Sequence, residues 1–332
     1  MILPFSFWQH ESNHINIKVI DTDTVVEKIV LYAQHEWEYT AFEYFEQLVN
    51  FANLRNIPFI IVLCTSKFSG PLHDVTNEQY KNVKLSYWKT FWLSEVWLNM
   101  MNMCQYEETG TYLYPFISLN NRAHYFRSLM MDNLARYNLI DNAAITWHED
   151  NHRNYEYKHW APEIKILDAQ YRLSTGLVYR LPNEFSQSFM QLVAESSVLH
   201  NILSEKTCMP LIFGKPFLVF GPVGFHEMLS VEYGFQLYDE IFDYSFDKEP
   251  DLDIRCNMLL QNVKRVYNLS TDELQELHNK VLPKLLFNSQ LAKKLSVDQQ
   301  NIPAIINESV SDPANIYCSR YIVNFITEQA IK

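Results

Sequence analysis

Four consecutive residues, Ser204-Glu205-Lys206-Thr207, bring hydroxyls, a carboxylate and an ammonium to what the flanking sequence marks as a helix start. Ser204 is a favourable N-cap, because its hydroxyl can accept from an amide of the first turn. Glu205 and Lys206 then project from the positive end of the helix, where backbone N–H groups also point outward. A carboxylate there can accept from the hydroxyls of a ribose, while an ammonium and a helix end together neutralise phosphate. Gly214 closes the helix, Pro216–Phe220 is a short apolar strand, and Gly221-Pro222-Val223-Gly224 is a turn. The same dipeptide also opens ordinary surface helices, so its meaning rests on what surrounds it.

The elements that position this tetrapeptide follow from hydrophobic periodicity. Ile15–Asp21 alternates as a strand, and Lys28–Ala33 is a second. Thr40–Leu54 carries Phe42, Phe45, Leu48, Val49 and Ala52 at helical spacing, and Phe59–Cys64 is a continuous apolar strand. Strand, helix and strand make a βαβ unit and a parallel sheet, whose ligands sit beyond the carboxyl ends of the strands. His35, Glu36 and Glu38 fall at that edge. Residues 84–104, rich in Trp, Leu and Met, read as core helix or domain-interface packing. A second unit begins with the apolar run Tyr112–Leu119, a helix to Tyr137 and a strand over 143–147. Arg122 lies in its first strand-to-helix turn, with Arg127 about one helical turn further on. Glu195 leads into Ser204 and is expected to face the cleft. Asp239 and Glu240 can meet either a sugar hydroxyl or a basic neighbour. Asp251–Tyr267 and Ser270–Leu295 are amphipathic helices, the second opened by the capping box Ser270-x-x-Glu273.

Ser204-Glu205-Lys206-Thr207, Pro210, Gly214-Lys215-Pro216-Phe217, the Gly221–Gly224 turn, Asp239–Asp243 and the patch around Leu119–Arg127 together resemble the donor-binding domain of GT-B glycosyltransferases. The likeness is to the fucosyltransferase-like group with its Ser/Thr-Glu-Lys signature and to phage and bacterial relatives. It covers the C-terminal two-thirds of the chain. The resemblance implies an α/β fold of two Rossmann-like domains facing each other across a cleft. It divides the chain into an acceptor-side domain over 1–110 and a nucleotide-sugar domain over 111–310. Residues 311–332 would be a helix returning to the first domain. It further implies donor binding by Arg122, Arg127, Ser204, Glu205, Lys206, Thr207, Gly221 and Gly224, with Lys206 and Arg122 stabilising the diphosphate leaving group. Transfer would be metal-independent, with no cofactor beyond the nucleotide-sugar substrate. An inverting reaction needs a base on the first domain, for which Glu36 and then His35 are the candidates.

Composition bounds these readings. The chain has 332 residues, 48% hydrophobic and 14% aromatic, enough for a sizeable core and two domains. It has only 7 glycines and carries no G-x-G-x-x-G or P-loop pattern. The net charge of −12 disfavours polyanions unless basic residues cluster. The Asn-, Tyr- and Phe-rich style resembles tailed-phage proteins. Such acceptors include cell-surface glycans and hydroxymethylated pyrimidines in DNA, the latter needing a groove lined by Lys67, Lys81, Lys84 and Lys89. Five scattered cysteines, an odd number without C-x-x-C, fit reduced thiols, and the expected location is the cytoplasm. No signal peptide or membrane span is expected. His148-Glu149-Asp150-Asn151-His152 matches H-E-x-x-H, which would make a zinc hydrolase if helical; its Asp-Asn interior and the strand before it argue for a polar loop. A catalytically silent nucleotide-sugar-binding protein is the remaining alternative.

The base assignment generates a kinetic expectation. Glu36→Gln keeps the side-chain shape but removes the proton acceptor. Transfer is expected to fall by roughly 10²–10⁴-fold with donor affinity unchanged, and steady-state kinetics beside donor calorimetry check both. Equal rates for the two proteins would return Glu36 to the ordinary loop residues.

Overall fold

A computed structural model describes residues 2–5, 29–33, 45–54, 56–63, 81–101, 111–120, 123–147, 155–161, 163, 167, 181–195 and 203–298. The chain divides into two compact units, the described parts of 1–95 and of Val96–Val297. The division falls about fifteen residues before the boundary expected near residue 110. Both units are mixed α/β with parallel sheets.

In the first unit, strands β1 (Ile2–Phe5), β2 (Ile29–Ala33), β3 (Phe59–Leu63) and β4 (Val83–Tyr87) lie side by side in the order β1-β2-β3-β4, every pair parallel. Helix α1 (Phe45–Leu54) connects β2 to β3 and buries Val49 and Ala52 completely. It stops at Asn56, whose positive φ of 52° turns the chain, and the Ile57 amide returns to the Ala52 carbonyl. Asn82 then ties that same carbonyl to the start of β4. Strand β4 overlaps the start of the stretch over 84–104 that the sequence reads as core helix or domain-interface packing. Its Lys84 is exposed and its other side chains only part-buried, so it lacks the apolar run that marks a buried strand. The helical reading holds from Phe91, where α2 (Phe91–Met101) begins. The strand expected over residues 15–21 lies outside the described residues.

The second unit is built on β5 (Tyr114–Asn120), β6 (Ala144–Trp147), β7 (Ser188–Ala194) and β8 (Phe217–Phe220) in the order β6-β5-β7-β8, again all parallel. The chain runs outward from β5 to β6, then crosses back to β7 on the other side of β5. The strand order therefore reverses between β5 and β7, and in open α/β sheets ligand crevices form outside the carboxyl ends at such a point. All seven residues of β7 are buried, as expected for a strand covered on both faces. The sequence reading assigns no strand there, because Gln191 interrupts the apolar run that would announce one.

Helices α3 (Tyr125–Arg136), α4 (Asn183–Ser186), α5 (Glu205–Phe213), α6 (Phe225–Val231), α7 (Leu252–Tyr267) and α8 (Thr271–Val297) complete the unit. Their ends follow the sequence signals. Ser204 caps α5 and Asp251 caps α7, while Ser270 and Glu273 exchange hydrogen bonds as a capping box. Gly214 ends α5 with φ 65°, and the neighbouring Ile212 carbonyl accepts from Ser289 of α8. Glu240 and, more distantly, Asp239 pair with Lys284 of α8, so the basic neighbour is the partner these acids find. Among the described residues no helix is long and apolar enough to cross a membrane.

A buried clamp fixes the segment after β8. Gly224, at φ 75°, gives its amide to the Asp247 carbonyl. The Asp247 carboxylate accepts from the amides of His226 and Glu227 and from His226 Nδ1 at 2.8 Å. His226 Nε2 accepts from the Val219 amide, which leaves Nδ1 as the ring nitrogen that donates to Asp247. Burial works to raise the pKa of Asp247, but the bonds from His226 outweigh it and hold the carboxyl below its ordinary 3.8. A lowered carboxyl stabilises the fold above its ordinary value and loses that contribution as pH falls below 3.8. Asp247→Ala strands several donors in the interior and is expected to cost about 2–4 kcal/mol, measured by urea unfolding at pH 7. That cost should shrink as unfolding is repeated toward pH 3.

Candidate functional site

Helix α5 starts at the carboxyl edge of the second sheet and is fastened there from below. Strand β7 ends at Ala194, and the next residue, Glu195, is 4% exposed. Its amide still joins β8 through the Phe220 carbonyl. One carboxylate oxygen, Oε1, accepts from both the Ser204 and Thr207 hydroxyls at 2.7 Å each. The Ser204 hydroxyl in turn accepts from the Lys206 amide. A second tie comes from β7 itself. Pro210 has no amide to give the Lys206 carbonyl four residues earlier. Gln191 supplies the missing donor, with Nε2 at 3.4 Å from that oxygen.

Above this base the charged pair is half open. Lys206 Nζ lies 2.5 Å from Glu205 Oε1, with 15% and 27% of the two side chains exposed. On the other side of the point where the strand order reverses, Arg127 of α3 is 2% exposed and donates from Nε to the Ala194 carbonyl. Its charge also acts on Glu205. Burial works to raise the Glu205 carboxyl, but Lys206, its own backbone amide and Arg127 bring it below the ordinary range. Burial dominates at Glu195, with Glu205 adding to it, and pushes that carboxyl up against the pull of Lys206 and the two hydroxyls.

Five residues selected from the sequence thus converge: Arg127, Ser204, Glu205, Lys206 and Thr207. Their parts differ. Glu205 and Lys206 present groups to solvent, whereas Thr207 is fully buried and Ser204 is 7% exposed, both serving Glu195. Glu195 lies beneath α5 and not on an open face, because two hydroxyls one helical turn apart draw its carboxylate inward. Gly221 ends β8, where an added Cβ would press on Val219 Cγ1 at 3.3 Å and on the Phe225 ring. Gly224 caps α6, its amide spent on Asp247. Arg122, Glu36, His35 and the His148–His152 tract lie outside the described residues, as does Lys67. Lys81 and Lys84 are exposed in the first unit. Among the described residues no group of three or more His, Cys, Asp and Glu side chains is arranged to hold a metal ion.

No family model, curated protein or solved structure matches this chain. The site therefore rests on its geometry, and two of its residues are not among those chosen from the sequence. Asn120, at the last position of β5, is 1% exposed and its Oδ1 has no hydrogen-bond partner. Gln191 Oε1 is in the same condition on β7. Both are polar residues inside apolar strand runs, and that interruption is the sequence signal that could have found them.

Glu195 gives a pH signature. A carboxyl raised in the folded state binds its proton more tightly than in the unfolded chain, so stability falls as pH rises from 4.5 through the raised value. Glu195→Gln keeps an acceptor for both hydroxyls without the charge. The variant should be the more stable protein at neutral pH, and its advantage should vanish toward pH 4. Thermal melts of the two proteins across pH 4–8 check this, and parallel curves would remove the buried charge from Glu195.

Proposed function

We propose that this protein is a glycosyltransferase whose second unit binds a nucleotide-sugar donor at the start of α5. One observation carries the reading: the Glu205–Lys206 pair, with 27% and 15% of the two side chains exposed at a capped helix N-terminus, beside the point where a parallel sheet reverses its strand order. Glu205, kept ionised by Lys206 and Arg127, accepts from the ribose hydroxyls. Lys206, at the positive end of α5, takes the diphosphate. The resemblance adds Arg122, which follows β5 in sequence, as a second cation for the diphosphate. As the glycosidic bond breaks, charge develops on the leaving diphosphate, where these fixed donors are worth most. This electrostatic role is one that cationic side chains fill without a metal.

The resemblance to fucosyltransferase-like enzymes supports the same assignment and supplies the finer parts of the proposal. The two α/β units then form a GT-B arrangement, and an inverting transfer to an acceptor hydroxyl is assisted by Glu36 or His35 from the first unit. A glycan or a hydroxymethylated pyrimidine in DNA is the acceptor class.

Binding tests the core of this reading before the sugar is known. A thermal-shift screen of nucleoside diphosphates and nucleotide sugars should raise the melting temperature with at least one base, since a ligand of the native state alone stabilises it. Lys206→Ala and Arg122→Ala should each weaken that nucleotide by about 1–3 kcal/mol in calorimetry, the cost of a lost charge-assisted bond. A screen without any shift, or unchanged affinity in both variants, would overturn the proposal.

A further inference from the structure

At the β6 side of the same sheet edge, two buried polar atoms lack partners. Asn120 closes β5 and Trp147 closes β6, and the parallel register pairs them directly. Paired residues of adjacent strands carry their side chains on the same face of a sheet. Both are 1% exposed. Asn120 Nδ2 is engaged with the Ser118 hydroxyl, which leaves Oδ1 as an acceptor without a donor. Trp147 Nε1, a donor only, has no acceptor. An unmatched acceptor and an unmatched donor thus belong to register-paired residues at a carboxyl edge. Buried groups of this kind cost stability unless something completes them.

An aromatic wall adjoins the pair. Trp160 packs edge-on against Trp147 at 4.9 Å between ring centroids. Tyr157 follows Trp160 at 5.4 Å, Tyr155 follows Tyr157 at 5.0 Å, and Tyr125 of α3 follows Tyr155 at 5.4 Å. The wall is fixed to α3. Asp132 accepts from the amides of Lys158, His159 and Trp160 and from the Tyr155 hydroxyl, and the Ser128 hydroxyl accepts from Tyr157. Tyr155, Tyr157 and Trp160 are only part-buried, and Tyr125 is 43% exposed. A row of rings anchored at its root by a carboxylate and left partly open is a stacking surface.

We propose that Asn120 and Trp147 read the edge of a nucleobase, with the tyrosine and tryptophan wall against its face. The chemistry selects this class. A base presents an N–H and an acceptor atom next to each other on one planar edge, which complements one acceptor and one donor on register-paired residues. Its flat π-face suits the neighbouring rings, whereas phosphate offers neither an N–H nor a face. The inference rests on the donor-binding reading and extends it: the ribose and diphosphate lie at α5 and the base at the ends of β5 and β6.

The experiment uses the full-length protein with two kinds of probe, the nucleoside diphosphate favoured in the thermal-shift screen and inorganic pyrophosphate. Trp147→Phe removes the indole N–H and keeps a ring. Asn120→Leu replaces the amide with an apolar group of similar volume, removing the unmatched Oδ1 together with the Nδ2–Ser118 hydrogen bond. Each variant should bind the nucleoside diphosphate roughly tenfold more weakly, the worth of one hydrogen bond in a closed site, with pyrophosphate affinity unchanged. Retained melting cooperativity establishes that each variant folds. If Lys206→Ala weakens the nucleotide while both edge variants bind it as the wild type does, the base sits elsewhere and only the donor reading survives. A water molecule as the sole partner of these two atoms gives the same unchanged affinities and overturns the proposal. If the wild type binds pyrophosphate but no nucleotide more tightly, the base site fails directly.

Discussion

The start of α5 depends on one buried carboxylate. Glu195 extends the end of β7, and its Oε1 is the meeting place of two hydroxyls from the first turn of α5. A charge in that position is costly to bury, and its elevated proton affinity records the strain. What the arrangement gains is position. An N-cap hydroxyl ordinarily holds only its own helix, but Ser204 accepts from that helix and donates to the sheet at once. The helix start is thereby set at a fixed height above the strand ends, and the Glu205–Lys206 pair with it.

The neighbouring charges belong to the same balance. Arg127 on α3 and Lys206 on α5 face two carboxylates, one buried beneath and one half open, so the cluster carries equal numbers of positive and negative groups. An incoming polyanion would shift that balance through the most accessible members. Glu205 and Lys206 are those members; Arg127 and Glu195 are too deep to respond except through them. The two tiers divide the labour between recognition and support, as designed and natural sites require.

Much of this was legible from residue types alone. The Ser204 cap, the Gly214 stop, the capping box at Ser270 and the strands beginning near Phe59, Tyr114, Ala144 and Phe217 each carry a local signal that tertiary packing has no reason to override. The failures share a cause. In β4, polar residues sit within a part-buried strand, and in β7 a polar Gln191 sits within a fully buried one, so neither shows its period. Buried polar residues are placed by partners distant in sequence, and those partners cannot be read from a local window. Glu195 illustrates the point: an acid before a helix suggests an open face, and only the positions of Ser204 and Thr207 above it reveal a buried acceptor.

Pro210 extends that lesson to the history of the chain. A proline within a helix normally leaves a carbonyl unsatisfied, yet here the amide of Gln191 reaches from the strand to complete it. The two residues are thus a coupled pair across an α/β layer. Lose the proline, and the helix makes its own bond, stranding a buried glutamine amide. Lose the glutamine, and the carbonyl is orphaned. Drift at either position is constrained by the other, and the helix cannot slide along the sheet without breaking a bond that belongs to both. Any closure around a ligand must therefore carry β7 and α5 together.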